Sequence, residues 1–122
     1  MADILIIDDE SMIRESLSNL FEREGYSVEI AVDGADGLKK FAANPARIVV
    51  TDIVMPDKEG IETINELRRA YPDVRIIAIS GGGRRGNAQF LDVARKLGAD
   101  AALAKPFTRA QITGLVRDLL NG

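Results

Sequence analysis

Short apolar runs and segments of helical periodicity alternate along the whole chain. Four of the runs are continuous, which suits strands buried on both faces of a sheet. A fifth alternates apolar with polar residues, which favours a place near the sheet edge. The continuous runs are residues 4–7, 48–50, 76–79 and 101–104, and the alternating run is 26–31.

Between these runs, apolar side chains recur every three or four residues, as in helices that pack one face on a sheet. The spacing of Thr108 and Gln111 predicts a capping box at the start of the last helix, and Ser11 is expected to cap the first. The apolar stripes are Ile13, Leu17, Leu20 and Phe21; Leu38, Phe41 and Ala42; Ile61, Ile64 and Leu67; Phe90, Leu91, Ala94 and Leu97; Ile112, Leu115, Val116 and Leu119.

Five strands alternating with five helices predict the α/β class. The expected architecture is a five-stranded parallel sheet, doubly wound, with helices on both faces. The chain shows no internal repeat and no linker that would divide it. We therefore expect a single domain over residues 1–122.

Composition excludes several classes of site and partner. The chain has 122 residues, 46% of them hydrophobic, so it can build a core, and its net charge of −3 gives no reason to expect nucleic-acid binding. Cysteine and histidine are absent, which excludes thiolate and imidazole chemistry on this chain. No signal peptide or apolar stretch of roughly 20 residues is present, so we expect a cytoplasmic protein without membrane contact.

Polar side chains follow four of the predicted strands. Ligands of doubly wound sheets bind outside the carboxyl ends of the strands, so these side chains should share one edge. Each alone is equally well explained as a turn or helix-cap residue, but their recurrence at four strand ends favours a site. They are Asp8, Asp9 and Glu10 after the first strand, Asp52 after the third, Ser80 after the fourth and Lys105 after the fifth.

The residue types at this edge suggest phosphoryl chemistry. Carboxylates held close together need a proton or a cation, and Mg²⁺ commonly binds one or two carboxylates together with waters and phosphate oxygens. A lysine and a serine beside such a metal are useful when a phosphoryl group arrives, since its oxygens need donors and positive charge. An aspartate can then be the nucleophile that accepts phosphorus.

The chain resembles the response-regulator receiver family, also called CheY-like, over nearly its whole length. The likeness implies a flavodoxin-like (βα)5 sandwich, a role in two-component signal transduction, and one receiver domain without an output domain in the chain. The motifs that carry it are residues 6–10 (IIDDE), 50–56 (VTDIVMP), 79–81 (ISG), 97–100 (LGAD) and 105–107 (KPF).

The resemblance implies that Asp52 accepts a phosphoryl group from a phosphohistidine on a sensor histidine kinase or histidine phosphotransfer protein. Mg²⁺, with Mn²⁺ as a substitute, would be held by Asp9, Asp52 and the Val54 backbone carbonyl, with Asp8 assisting through water. The switch would then act on a downstream protein or an output domain beyond this chain.

Three further roles follow from the same resemblance. Lys105 would pair with the acceptor carboxylate and then with the phosphoryl group, and Ser80 would move toward that group. The bond before Pro106 would be cis. The chain would be a phosphoacceptor switch that promotes only its own phosphotransfer and dephosphorylation, and would not otherwise be an enzyme.

Two departures concern how the signal leaves the site. Ala102 occupies a position where many receivers have an aromatic residue that rotates inward, and the connection after Ser80 is long and glycine-rich. We hypothesise that this connection is the moving part, with an arginine drawn toward the added negative charge. Its candidate residues are Gly81, Gly82, Gly83, Arg84 and Arg85.

The sequence leaves three alternative functions, each with residues that argue against it. A dehalogenase-type phosphotransferase would need a second acid where Val54 stands, and a flavodoxin-like cofactor site would place acidic residues against a phosphate. A degenerate receiver that serves only as a protein-docking module is the third alternative, against which the full set of Asp9, Asp52, Ser80 and Lys105 argues.

Overall fold

The computed structural model describes residues 2–53, 59–80, 92–96 and 98–121. Strands and helices alternate through these residues as the sequence predicts. The elements are β1 (Ala2–Ile7), α1 (Ser11–Arg23), β2 (Val28–Ala31), α2 (Gly34–Ala43), β3 (Ala46–Asp52), α3 (Glu59–Ala70), β4 (Arg75–Ser80), α4 (residues 92–96), β5 (Ala101–Ala104) and α5 (Arg109–Asn121).

The strands form one parallel sheet in the order β2-β1-β3-β4-β5. This confirms the predicted doubly wound α/β fold. The alternating run around β2 lies at a sheet edge, as its alternation predicted, while the continuous apolar runs of β1, β3 and β4 are interior. The fourth continuous run, β5, forms the other edge strand and is only partly buried, so the expectation of burial on both faces is wrong there. Interior strands are covered on both faces, which is why their apolar residues do not alternate with polar ones.

Two separate layers of core side chains pack against the two faces of the sheet. Successive strand residues point to opposite faces, so Ile4 and Ile6 meet α1 and α5 while Leu5 and Ile7 meet the other helices. The first layer includes Leu17 and Phe21 of α1 with Ile112 and Val116 of α5. The second includes Phe41 of α2, Ile64 and Leu67 of α3, and Ala94 of α4.

The two predicted helix caps have different outcomes. At α5 the capping box is present, because Gln111 N donates to Thr108 Oγ1 at 3.0 Å and Thr108 N donates to Gln111 Oε1 at 2.7 Å. At α1 the prediction is wrong, because Ser11 is already helical and Glu10 is the N-cap residue. Asp8 Oδ1 accepts from Glu10 N at 2.9 Å, and this turn starts the helix one residue early.

Arg68 at the end of α3 holds the beginning of β5 against β4. Its guanidinium donates to Gly98 O from Nε at 3.1 Å and Nη2 at 2.8 Å, and Nη2 also donates to Asp100 Oδ2 at 2.8 Å. The same Asp100 oxygen accepts from Ile76 N at 2.8 Å. A Cβ at Gly98, where φ is +127°, would meet Arg68 Cγ at 2.8 Å, so the close approach requires glycine.

Arg68→Met is expected to lower the free energy of unfolding by about 2 kcal/mol, because it leaves partly buried acceptors without their charged donor. Urea denaturation would measure the change. Arg69→Met, at an exposed position of the same turn, is the matched control and should change stability by no more than about 0.5 kcal/mol. Equal effects of the two substitutions would contradict a special role for Arg68.

Candidate functional site

The order of the strands opens a crevice above β1 and β3. These strands are neighbours, but the chain leaves β1 toward α1 on one face and leaves β3 toward α3 on the other. Such a switch point is where doubly wound sheets bind ligands. Asp8 directly follows β1 and Asp52 is the last residue of β3, so both lie at this crevice.

Three of the predicted polar residues at the strand ends are buried. Asp8 is 2% exposed, Asp52 3% and Ser80 0%. Aspartate is seldom buried to this extent unless a charge or hydrogen bonds compensate it. These three side chains therefore form a buried polar site at the strand ends, and are not solvated turn residues.

Lys105 supplies positive charge at this edge. Its Nζ lies 3.6 Å from Asp8 Oδ2, 3.8 Å from Asp52 Oδ2 and 3.8 Å from Glu10 Oε1. The backbone holds the lysine here, since Lys105 N donates to Ser80 O at 2.8 Å. The Lys105–Pro106 peptide bond is cis, the geometry that the family resemblance implied.

Glu10 belongs to the same cluster; the sequence places it at this edge but predicts no metal-binding role for it. Carboxylate oxygens of Asp8, Glu10 and Asp52 all lie within 4.8 Å of one another. Glu10 is the N-cap residue of α1, and its N–H donates to Asp8 Oδ1 at 2.9 Å. Its place beside Asp8, directly after the apolar run of β1, was the signal that could have identified Glu10. Asp9, between them, is exposed.

The Asp8 carboxylate is only partly satisfied by hydrogen bonds within the described residues. Its Oδ1 accepts from Glu10 N, while its buried Oδ2 has no hydrogen-bond partner among the described residues, and the same holds for Lys105 Nζ. Burial raises the pKa of Asp8 above its ordinary value; the Glu10 N–H and Lys105 oppose this, and the charges of Glu10 and Asp9 add to it. An ionised Asp8 is therefore under-compensated by the protein alone.

A divalent cation with oxygen ligands fits this donor set. Three carboxylates converge on one ammonium, and a buried carboxylate oxygen of Asp8 lacks a donor within the described chain. Mg²⁺ takes oxygen ligands of this kind and commonly leaves positions for water and phosphate. Asp8, Glu10 and Asp52 are the residues whose carboxylates are close enough together to share such an ion.

Other predicted residues divide into those the structure describes and those outside it. Ala102 packs against the core layer that contains α2, α3 and α4 and is partly buried. Ser80 ends β4 opposite Ala104 of β5, so it lies at the same edge as Asp52. Val54 and the proposed moving connection at residues 81–85 lie outside the described residues.

One of two surface pockets adjoins the acidic cluster, and the other lies at the opposite end of the sheet. A groove of about 320 Å³ adjoins the cluster and is lined by Ile13, Ser16, Leu17, Lys105, Pro106 and Phe107. A pocket of about 600 Å³ includes Ala46 and Arg75, the first residues of β3 and β4. Since Asp52 is at the other end of β3, the second pocket is separate from the acidic cluster.

The family model and the curated relatives that match this chain are all response regulators or their receiver domain. A family model described as the response regulator receiver domain matches residues 4–117. Response regulator RR06 of Streptococcus pneumoniae is 34% identical over 120 residues, which cover 98% of this chain and 53% of that protein. The chain spans about half the length of the curated relatives it matches.

Solved structures of receiver domains share the fold. A response regulator receiver domain protein of Clostridium thermocellum has a TM-score of 0.88 with 31% identity, covering 99% of this chain and 95% of that one. The receiver domain of NtrX from Brucella abortus has a TM-score of 0.89 with 26% identity, covering 98% of both chains. In the described part of this chain, no helix has the length and apolarity needed to cross a bilayer.

Asp8→Asn is expected to raise the free energy of unfolding at pH 7 in EDTA by about 1 kcal/mol, because it removes an under-compensated buried charge. With its pKa raised on folding, Asp8 lowers stability as the pH rises from the ordinary value of 3.8 through the raised pKa, and the full loss is present above it. The advantage of the variant should therefore shrink as the pH falls and the wild-type carboxyl takes up a proton.

Urea denaturation at a series of pH values from 7 downward would measure the difference in the free energy of unfolding. Asp118→Asn, at an exposed position of α5, serves as the control for loss of a carboxylate. If Asp8→Asn were less stable than wild type at every pH, the conclusion that the Asp8 charge destabilises the metal-free fold would be wrong.

Proposed function

Because the chain belongs to the response regulator receiver family of two-component systems, we propose that Asp52 accepts a phosphoryl group in a Mg²⁺-dependent reaction. The observation that carries the proposal is the pairing of a buried Asp52 with Lys105 at 3.8 Å inside a cluster of further carboxylates. A buried acid that served only the fold would not need two more acids beside it.

The proposed reaction transfers phosphorus from nitrogen to oxygen. An Asp52 carboxylate oxygen attacks the phosphorus of a phosphohistidine on a partner protein, the O–P bond forms, and the P–N bond breaks with its electron pair returning to the imidazole. The Lys105 ammonium lies near Asp52 and stabilises the negative phosphoryl oxygens as they approach. Ser80, at the neighbouring strand end, is the proposed hydroxyl partner of the bound phosphoryl group.

The acidic residues after β1 are proposed to hold the metal. When bound, Mg²⁺ supplies positive charge for the phosphoryl oxygens. Asp8, Asp9 and Asp52, with the Val54 carbonyl, are the ligands that the family likeness implies, and Glu10 adds a fourth carboxylate at the same edge. Mn²⁺, which also prefers oxygen ligands, is expected to substitute.

The wider role follows from the family as a proposal. Residues 1–122 act as one receiver domain in the cytoplasm, with a sensor histidine kinase or histidine phosphotransfer protein as donor. A downstream protein or an output domain receives the signal. Since Ala102 cannot act as a rotating aromatic residue, the connection at residues 81–85 is proposed to move instead. The domain is a switch and not an enzyme with an external substrate.

Incubation with acetyl phosphate and Mg²⁺ is expected to add the mass of one phosphoryl group to the wild-type chain, as measured by intact-protein mass spectrometry. Asp52→Asn should abolish the addition, and EDTA should prevent it, because the acceptor oxygen and the metal are both required. Asp73→Asn, at an exposed position, should behave like wild type.

Lys105→Met is expected to reduce the rate of addition by at least about 10-fold, since it removes the charge nearest the acceptor. A folded wild-type chain that gains no mass under these conditions would favour the alternative, a degenerate receiver that docks on partners without being phosphorylated. Mass addition that persists in Asp52→Asn would place the acceptor elsewhere.

A further inference from the structure

Arg14, in the first turn of α1, reaches back to the residue that follows β1. Its Nη1 donates to the main-chain oxygen of Asp8 at 2.7 Å, and the contact is partly buried. A guanidinium hydrogen bond of this length is strong, because the donor carries charge. The contact joins α1 directly to the short acidic loop, residues 8–10, that carries Asp8, Asp9 and Glu10.

The start of α1 is not arranged for the stability of the helix itself. Arg14 places a positive charge near the positive end of the helix dipole, and the first turn contains no acidic residue. Glu10, at the N-cap position, makes no side-chain cap hydrogen bond within the described chain, and its carboxylate lies instead 3.8 Å from Lys105 Nζ. Arg14 therefore hydrogen-bonds to the acidic loop, and Glu10 pairs with Lys105, instead of capping the helix.

With Arg14 in place, Asp8 is fixed through three of its four polar atoms. Asp8 N donates to Ala31 O at 3.2 Å, Asp8 Oδ1 accepts from Glu10 N at 2.9 Å, and Asp8 O accepts from Arg14. The remaining atom, Oδ2, is buried and 3.6 Å from Lys105 Nζ. The Arg14 contact therefore helps to fix the main chain at Asp8, while the Glu10 N–H holds Oδ1 and leaves Oδ2 on the side of Lys105.

We infer that Arg14 is a positioning residue for the acidic loop, which holds Asp8 and Glu10 in the orientation that receives the divalent cation. The inference rests on the proposed metal-dependent function. A positioning role of Arg14 would strengthen Mg²⁺ binding, whereas its positive charge alone would weaken the binding of a nearby cation. The two effects of Arg14 on Mg²⁺ affinity therefore have opposite signs, and a substitution can distinguish them.

Isothermal titration of the intact chain with MgCl₂ provides the test. Arg14→Met keeps the aliphatic stem but removes charge and donors; we expect Mg²⁺ to bind about 10-fold more weakly, as is typical when a group that orients a metal ligand is lost. Arg14→Lys keeps the charge and an N–H donor group on a shorter, non-planar head, and should recover part of the affinity. Arg23→Met, an exposed site at the other end of α1, should leave affinity unchanged.

A second measurement needs no metal. Hydrogen exchange of the Glu10 amide, which donates to Asp8 Oδ1, is expected to be faster in Arg14→Met than in wild type when the free energies of unfolding are matched with urea. A positioning role requires this change, whereas loss of charge alone does not.

The outcomes separate the inference from the proposed function. Either unchanged or tighter Mg²⁺ binding in Arg14→Met, or Glu10 exchange as in wild type, would overturn the inference and leave the proposed function intact. A wild-type chain whose Mg²⁺ binding is absent, or is unaffected by Asp52→Asn, would overturn the proposed function. In that case faster Glu10 exchange in Arg14→Met would still support Arg14 as the residue that fixes the loop, and unchanged exchange would refute it.

Discussion

Negative charge concentrated in a buried place is the constraint on which this molecule depends. Asp8 and Asp52 are nearly inaccessible to water, and Glu10 joins them within a few ångströms. The Lys105 ammonium lies among them and offsets part of the repulsion. The protein alone leaves Asp8 under-compensated, so its pKa is raised by burial. Stability given up in this way is common at functional sites, and it leaves a carboxylate oxygen of Asp8 to which a cation would add the missing positive charge.

The rest of the fold keeps these charges in place. The parallel order of the strands brings Asp8, Asp52 and Lys105 to one edge although they are far apart in sequence. At the other end of β5, Arg68 of α3 donates to Gly98 O and Asp100 Oδ2 in the segment that leads into the strand. β5 is therefore anchored at the end remote from the acidic cluster, and at its other end Lys105 is held by its backbone bond to Ser80 O.

At the start of α1, Glu10 and Arg14 make contacts with the acidic cluster instead of contacts that stabilise the helix end. Glu10 occupies a cap position without capping, and Arg14 places its charge at the unfavourable end of the helix dipole. Both residues contact the acidic loop or its lysine. Departures from the usual preferences of a helix end are expected where a functional site has priority, and this pair marks where the first helix and the acidic cluster meet.

Much of this was decided by the sequence, because the signals are local. Apolar runs and helical stripes predict the alternating elements, the Thr108–Gln111 spacing predicts the α5 cap, and strand ends predict that Asp8, Asp52 and Lys105 meet. Tertiary structure decided what depends on direction. The Glu10 carboxylate faces Lys105, Arg14 turns back to Asp8, and Arg68 reaches across to Gly98. The expected Ser11 cap was wrong for the same reason, since the Asp8–Glu10 turn starts the helix earlier. Hydrophobic period fixes which elements form, but the orientation of a long charged side chain depends on partners that only the folded chain brings near.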